Sequence, residues 1–320
     1  MTERITSAFG AFTPAREVVK GLDLSDRTAI VTGGATGIGI ETARALAEAG
    51  AKIVIAVRKP DLAEAAVASI NETASGPKAG WSMLDLSSFE SIRAFASRWG
   101  DKPLHILINN AAVMACPLDY TQNDLEMQIG TNHFGHFLLT TLLAPAMEKA
   151  AKAGRTARVV SLSSIGHRRA GVNFEDPNYR HRAYDKWESY GQAKSANALF
   201  AVGFHKRFAG RGVTANAVMP GGIMTPLQRH LPMEEQIALG WVDADGKVRD
   251  GFKTTEQGAS TSVWAATAPA LEGIGGLYLE DCAQATPWTK DIPWAGVMPH
   301  ALDPEGAEKL WALSEKTVAA

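Results

Sequence analysis

The sequence predicts an α/β fold: a doubly wound parallel sheet with helices on both faces, forming a single domain with one small insertion. Three observations predict it. Short Val/Ile-rich runs alternate with segments of helical spacing. Those runs are apolar almost without interruption, the pattern of strands buried on both faces. A glycine cluster stands where the first run gives way to the first helical segment, and right-handed crossovers between parallel strands complete the winding.

TAIVT (28–32) opens the alternation as a β-branched strand ending in glycines. GIETARALAEAG (39–50) has helical spacing and a terminal Gly50 suited to the position after a helix. KIVIAV (52–57) is the second strand and DLAEAAVASI (61–70) the next helix. WSMLDL (81–86), a helix over 88–98 and LHILIN (104–109) continue the series. A long helix is expected near 122–151, then a strand at 158–163, a helix at 188–210 and a strand at 213–218. A helix near 256–266 and a strand at 276–280 close the sheet. Residues 1–25 form a leader, 26–282 the domain and 283–320 a C-terminal extension with a helix in EGAEKLWALSEK. Residues 165–187 are a polar, aromatic-rich insertion. Residues 222–255 follow a strand end, and their WVDADGKV suits a small hairpin about the Asp-Gly pair.

Composition narrows the function. The 320 residues are 46% hydrophobic, with 32 Lys+Arg against 34 Asp+Glu. One large core fits that size. Balanced charge without a basic run gives no footprint for nucleic acid. Two cysteines make neither a disulfide framework nor a metal motif. The N-terminus lacks a secretory apolar core, and no apolar stretch approaches the roughly 20 residues that span a bilayer. The expectation is a cytoplasmic protein with no metal.

Thr32-Gly33-Gly34-Ala35-Thr36-Gly37-Ile38-Gly39 joins the first strand to the first helix. Glycines without Cβ atoms let the chain bend sharply and a pyrophosphate approach. The helix start then offers free N–H groups and a positive dipole end. The spacing is G-x-x-x-G-x-G rather than G-x-G-x-x-G.

TGGATGIG, INNAA (108–112), a serine-rich strand end, Tyr190-x-x-x-Lys194 and Pro220-Gly221 stand in that order. Together they resemble the short-chain dehydrogenase/reductase family over roughly residues 25–280. LDLSSFESIRAF, INNAAVMACP, QIGTNHFGHFLL and EDCA resemble the retinol dehydrogenase-like and WW-domain oxidoreductase-like branch. The resemblance implies a Rossmann-type dinucleotide-binding domain in which 165–187 and 222–255 serve the substrate, the second as a lid.

Tyr190 and Lys194 lie one helical turn apart, on one face. Free tyrosine, with a pKa of about 10, is a usable acid when its phenolate is stabilised. A nearby ammonium lowers that pKa, and two or three units correspond to about 3–4 kcal/mol. The resemblance assigns Tyr190 as proton donor to a carbonyl or acceptor from an alcohol, and Lys194 as the holder of the nicotinamide ribose. Ser164 maps to the serine that fixes the carbonyl, with Ser163 as the fallback. Asn132 maps to an asparagine at a helix irregularity that holds a water linking Lys194 to solvent. His133 and His136 have i, i+3 spacing but no third ligand, which favours structural roles. Met114 and Cys116 are expected to line a pocket rather than react. Ala112 replaces the family's usual glycine.

Further cofactor contacts carried over are Gly33, Thr36, Gly37, Ile38 and Gly39 of the loop, Asp85 with Leu86 at the adenine, Asn109 and Ala111 at the ribose, and Pro220, Gly221 and Thr225 over the nicotinamide. Asp85 has a structural alternative as a helix cap, a job open also to Ser87 or Ser88. Val57 falls where an NAD-type aspartate stands, and Arg58 follows it with Lys59. A guanidinium grips a 2′-phosphate through parallel charged hydrogen bonds, so NADP(H) is expected before NAD.

The function expected from all this is hydride transfer between NADP(H) and a bulky apolar ketone, aldehyde or secondary alcohol. Phe174, Tyr179, Tyr184, Trp187, Leu227, Leu231 and Trp241 are the expected pocket wall, unless they pack the insertion on the core. Arg168, Arg169, Arg180 and Arg182 are solvated loop charges or partners for a substrate carboxylate. One competing reading is a catalytically silent NADP-binding regulator, which usually lacks Tyr, Lys or Ser; none is missing here. A sugar-nucleotide epimerase shares Tyr-x-x-x-Lys but carries a differently spaced glycine loop. Family members often pair through the helices at 122–151 and 188–210, which implies a homodimer or homotetramer.

Overall fold

The computed structural model describes residues 3–151 and 155–319. In chain order its elements are α1 (Ala15–Val18), β1 (Thr28–Thr32), α2 (Gly37–Glu48), β2 (Lys52–Val57), α3 (Pro60–Thr73), β3 (Gly80–Met83), α4 (Phe89–Trp99) and β4 (Ile106–Asn109). Then come α5 (Met127–Ile129), a π turn (Gly130–Phe134), α6 (Gly135–Ala151), β5 (Ala157–Leu162), α7 (Lys186–Phe208) and β6 (Val213–Met219). The last are α8 (Met233–Ala238), α9 (Thr255–Thr267), β7 (Tyr278–Glu280), β8 (Ala283–Gln284) and α10 (Pro304–Ala319).

One sheet runs β3-β2-β1-β4-β5-β6-β7-β8. Val31 pairs with Ile55 on one side and Ile108 on the other, both in parallel register. The strand order reverses between β1 and β4, which opens a crevice beyond their carboxyl ends. Successive strand residues serve opposite faces. Ile30, Leu107 and Val159 pack with α4, α6 and α7, whereas Val31, Ile108 and Val160 pack with α2 and α9.

Three departures from the sequence expectation have local causes. The helix near 122–151 is not continuous: Asp124 takes φ +57°, and the buried Glu126 carboxylate caps a new start through Gln128 N and Ile129 N. The sheet is not wholly parallel, because Asp281 and Cys282 both take positive φ (49° and 56°). That pair turns the chain back in the manner of a type I′ hairpin, making β8 antiparallel to β7. The extension is also built into the domain. Trp311 of α10 packs edge-on to Phe137 at 4.9 Å between ring centres and lies parallel to the Phe200 ring at 6.3 Å. Its backbone surroundings close over Gly203 of α7, where an added Cβ would sit 3.3 Å from the Trp311 ring. The 222–255 segment holds its hairpin, with Val242 bridged to Val248.

Candidate active site

A cleft of about 1650 Å³ runs across the carboxyl ends of the strands. Pockets for one drug-sized ligand occupy about 300–1,000 Å³, so this one has room for two ligands side by side.

One end is the glycine turn. Gly33 and Gly37 take φ of +64° and +58°, which side chains other than glycine rarely accept. A Cβ on Gly39 would overlap the Gly33 carbonyl, and one on Gly34 would lie 2.6 Å from Ile55 Cγ2. Thr36 stands at the α2 start without capping it through its side chain, so the first N–H groups of the helix point into the cleft with no side-chain acceptor. These are the features a pyrophosphate requires. Thr36, Ile38, Arg58, Lys59, Asp85 and Leu86 line the same end. Ser88 caps α4, which leaves Asp85 free of that duty. Its Oδ1 accepts from Ser87 N at 2.9 Å and Ser87 Oγ at 2.7 Å.

Asn109 does not line the cleft, which corrects its assignment to the ribose. As the last residue of β4 it points into the core, and its Nδ2 donates to Thr140 Oγ1 at 2.9 Å. Asn110, one residue past the strand, lines the cleft instead. It donates from Nδ2 to the Thr32 carbonyl at 2.7 Å. Ala111 and Ala112 also line the cleft.

Behind this turn lies a buried relay. His136 Nδ1 is 2.9 Å from the Asn132 carbonyl, and Nε2 is 2.8 Å from Thr32 Oγ1. A carbonyl only accepts, so Nδ1 carries the proton and Nε2 accepts from the Thr32 hydroxyl. The Thr32 lone pairs then face the N–H groups of Asn110 (2.9 Å) and Ala111 (3.0 Å). Burial holds the His136 pKa down to about 4, so the ring is neutral at physiological pH. His133 donates to Ser314 of α10 at 2.7 Å and is structural as well. Among the described residues no group of His, Cys, Asp or Glu is arranged to hold a metal.

The centre of the cleft brings Ser164, Tyr190 and Lys194 together. α7 carries Tyr190 and Lys194 on its inward face, started by an Asp185 cap. Lys194 Nζ lies 5.5 Å from the Tyr190 ring centre and donates to the Leu162 carbonyl at 2.9 Å. Ser164 ends the β5 strand turn beside the phenol, whose pKa it lowers, and its Oγ accepts from Gly166 N at 3.1 Å. Ser163 faces away, its hydroxyl donating to the Lys194 carbonyl at 2.8 Å. Gly166 lets the phenol lie close, since a Cβ there would be 2.9 Å from the ring.

The electrostatics correct one expectation. Burial raises the Tyr190 pKa to about 12, and Ser164 lowers it only in part. Burial also lowers Lys194 to about 7. The protein alone therefore does not deliver the acidified tyrosine inferred from spacing: desolvation raises the phenol, and the opposing cause is Ser164 rather than the lysine charge. Asn132 sits within the π turn, a helix irregularity of the kind often found at functional sites. Its side chain does not face the cleft: Oδ1 accepts from Val113 N and Nδ2 donates to Val113 O, both at 2.9 Å. Its carbonyl accepts from His136 Nδ1 at 2.9 Å.

Pro220, Gly221 and Thr225 line the third stretch. Sequence reasoning missed what holds them. Lys253, with a side chain 5% exposed, donates to the Pro220 carbonyl at 3.1 Å and pairs with Asp281 at 2.6 Å. Its own N–H donates to Gly222 O at 2.8 Å. It fastens both ends of the lid at once, and no local sequence signal marks it. Thr225 caps the turn Pro226–His230 and sits over Gly37.

The apolar end of the cleft has walls only partly foreseen. Met114, Trp187, Leu227 and Trp241 line it. Leu231 lies beneath, packed with Met114 and Tyr190. Phe174, Tyr179 and Tyr184 are scaffold. Phe174 packs toward α10, Tyr179 meets Tyr184 edge-on at 5.1 Å, and Tyr184 Oη donates to the Cys116 carbonyl at 3.0 Å. Cys116 is buried below the cleft, its thiol pushed up to about 11 by that burial. Arg168 and Arg169 reach the cleft. Arg180 pairs with Asp124 at 2.6 Å and Arg182 with Glu188, so neither is available to a substrate. Trp288, Pro293, Trp294 and Met298 of the C-terminal extension complete the wall.

A family model described as short chain dehydrogenase matches residues 27–236. The chain is 45% identical over 303 residues to a "Probable oxidoreductase" of Streptomyces lividans, across 93% of this chain and 100% of that one. It is 40% identical to a polyprenol dehydrogenase of Mus musculus over 293 residues, 89% of this chain and 82% of the relative. Retinol dehydrogenase 12 of Mus musculus is 39% identical over 295 residues, 92% of this chain and 86% of the relative. A crystal structure of a Mycobacterium paratuberculosis protein is similar with a TM-score of 0.71 at 32% identity, covering 94% of this chain and 97% of that one.

Proposed function

The chain belongs to the short-chain dehydrogenase family of oxidoreductases, and from that premise we propose that its site works between NADP(H) and a bulky apolar ketone, aldehyde or secondary alcohol. One arrangement carries the proposal: Ser164, Tyr190 and Lys194 meet midway between a glycine cradle and an apolar wall. The nicotinamide would supply or accept the hydride. The residues of the chain do the rest. Ser164 and Tyr190 both present hydroxyls to a carbonyl oxygen, and the Tyr190 proton is the one transferred. A phenol held up to about 12 keeps its proton until a developing alkoxide takes it, which suits an acid in the reducing direction. Lys194, once charged, offsets the phenolate left behind.

Gly33, Thr36, Gly37, Ile38 and Gly39 would hold the pyrophosphate, and Asp85, Leu86, Asn110 and Ala111 the adenosine side. Pro220, Gly221 and Thr225 would cover the nicotinamide, with Arg58 and Lys59 on the 2′-phosphate. The apolar wall supports a bulky substrate, and two relatives carry the names of long apolar alcohols, polyprenol and retinol. Two free, buried cysteines fit a reducing compartment such as the cytoplasm. No helix among the described residues is long and apolar enough to cross a membrane.

The test is turnover of a panel of ketones, aldehydes and secondary alcohols, followed at the reduced-nicotinamide absorbance, in the parent and in Tyr190→Phe. The variant keeps the ring and loses the proton. It is expected to lose roughly 10³-fold in rate while still binding cofactor. Near-normal turnover in the variant would remove Tyr190 from its role. A parent that binds cofactor but converts nothing would favour the silent regulator.

A further inference from the structure

We propose that the loop at 286–298 is a substrate-specificity lid whose exposed tip, Ile292-Pro293-Trp294, closes on the apolar part of the substrate. The base of this loop is fixed. Trp288 N donates to Val297 O at 3.0 Å, and Val297 N to Thr286 O at 2.9 Å. Gly296 N reaches both oxygens of the buried Glu280 carboxylate, at 2.9 and 3.0 Å. Gly296 takes φ +90°, and a Cβ there would lie 2.7 Å from Trp288 Cα. Met298 N donates to His167 Nε2 at 3.1 Å. His167 Nδ1 in turn lies 2.7 Å from the Ser164 carbonyl, so the loop is anchored on the turn that carries the catalytic serine.

The tip is the opposite. Trp294 is 67% and Ile292 51% exposed, among the most exposed large apolar side chains described. Adjacent exposed apolar groups at the rim of a cleft mark a place for an apolar ligand. The site dictates which one: Pro293, Trp294 and Ala295 border the same cleft as Tyr190, Ser164, Trp187 and Trp241. A carbonyl held at Tyr190 places the remainder of a bulky molecule between these walls. The loop therefore reads the size and apolarity of that remainder, while the chemistry stays with α7 and β5.

The inference rests on the carbonyl–alcohol reading above, so its test has two arms. In the first, kcat/KM for benzophenone and for acetone is measured in the parent and in Trp294→Ala. The ratio of the two is expected to fall about tenfold, the effect of losing ~60 Å² of apolar contact. Trp294→Phe is expected to recover most of it. In the second arm, benzophenone binding to the NADP⁺-loaded protein is measured by calorimetry, without turnover, and is expected to weaken by a similar factor in Trp294→Ala. Because the ring is mostly in solvent, the variant keeps its core. A parent that converts neither ketone overturns the chemical reading and leaves the binding arm to decide on the loop. A ratio and a binding constant both within twofold of the parent overturn the lid.

Discussion

The Thr32 hydroxyl lies 2.8 Å from Nε2 of His136, and through it the π turn of Asn132 is coupled to the backbone that shapes the glycine cradle. The neutral imidazole is the nearer of two acceptors for the Thr32 proton, the Ile108 carbonyl lying at 3.3 Å, and it leaves the hydroxyl lone pairs facing Asn110 N and Ala111 N. Thr32→Val keeps the shape and removes the acceptor. The Ala111 N–H and the His136 Nε2 lone pair are then left unpaired, at about 1–3 kcal/mol each, while Asn110 N keeps the Ile108 carbonyl at 3.0 Å. The variant is expected to lose about 2–5 kcal/mol by chemical denaturation and to bind cofactor roughly tenfold more weakly. Thr32→Ser should restore both, and a Val variant as stable as the parent would show that the relay carries no strain of its own.

Lys194 gives a pH prediction with a definite sign. Its pKa in the folded protein is about 7, against 10.5 for the free side chain, because it is buried. Between those values the unfolded chain binds a proton that the folded chain refuses, so stability rises with pH there. The stability is lost as pH falls through about 7 and stays lost below. Lys194→Met removes the penalty, and the Leu162 carbonyl keeps a second donor in Asn197 Nδ2 at 2.8 Å. The variant is expected to be more stable than the parent by about 2–4 kcal/mol at pH 7, a gap that closes toward pH 10. Urea denaturation at both pH values checks it; a constant gap would place the lysine in a wetter site.

How much of this was legible in the sequence depended on range. β1, β2 and the glycine turn are local patterns, and they fold as the pattern suggests because burial on both faces demands Val and Ile. Tyr190 and Lys194 share a helix face, so their spacing alone brings them together. Asn109 and Asn110 were not separable, since a strand ending one residue earlier would exchange their directions. The hairpin at Asp281–Cys282 lacks the Asn-Gly that usually marks it. Trp288, Trp294 and Lys253 reach the cleft through bonds to Glu280, His167, Pro220 and Asp281, none of them close enough in sequence to leave a periodic trace. Tyr179 and Tyr184 show the converse: aromatic content places no ring on one side of a wall or the other.

The packing of α10 on α7 makes a prediction about assembly. Phe200, Phe204 and Phe208 of α7 meet Trp311 at ring distances of 6.3 Å each, and Glu308 pairs with Arg207 at 2.6 Å and Lys206 at 2.9 Å. The helices through which the resemblance expects pairing thus each carry α10 on one face. The full chain is expected to run as a monomer in light scattering at micromolar concentration. Trp311→Ala is expected to cost about 3–5 kcal/mol. A stable dimer that Trp311→Ala leaves intact would mean pairing through another face.

The proposed preference for NADP(H) is expected to turn on two guanidiniums. Arg58 follows β2 directly, where Val57 leaves no carboxylate to repel a 2′-phosphate. Arg229, from the lid, borders the same cleft. Burial and then the charge of Arg58 hold its guanidinium below the ordinary value, so the two cations are near enough to repel. An anion between them would relieve that repulsion as well as accept their hydrogen bonds. Charged hydrogen bonds contribute about 1.5–3 kcal/mol, or roughly 10- to 150-fold in affinity. The parent is expected to favour NADPH over NADH by about that factor in kcat/KM. Arg58→Ala should remove most of the preference by weakening NADPH and leaving NADH nearly unchanged. Arg229→Gln should remove a smaller part, because the lid must also move to admit the cofactor. Direct titration with adenosine 2′,5′-bisphosphate and with adenosine 5′-monophosphate separates phosphate recognition from catalysis. A parent that prefers NADH, or an Arg58→Ala protein whose two titrations keep their parental ratio, would show that neither guanidinium reads the phosphate.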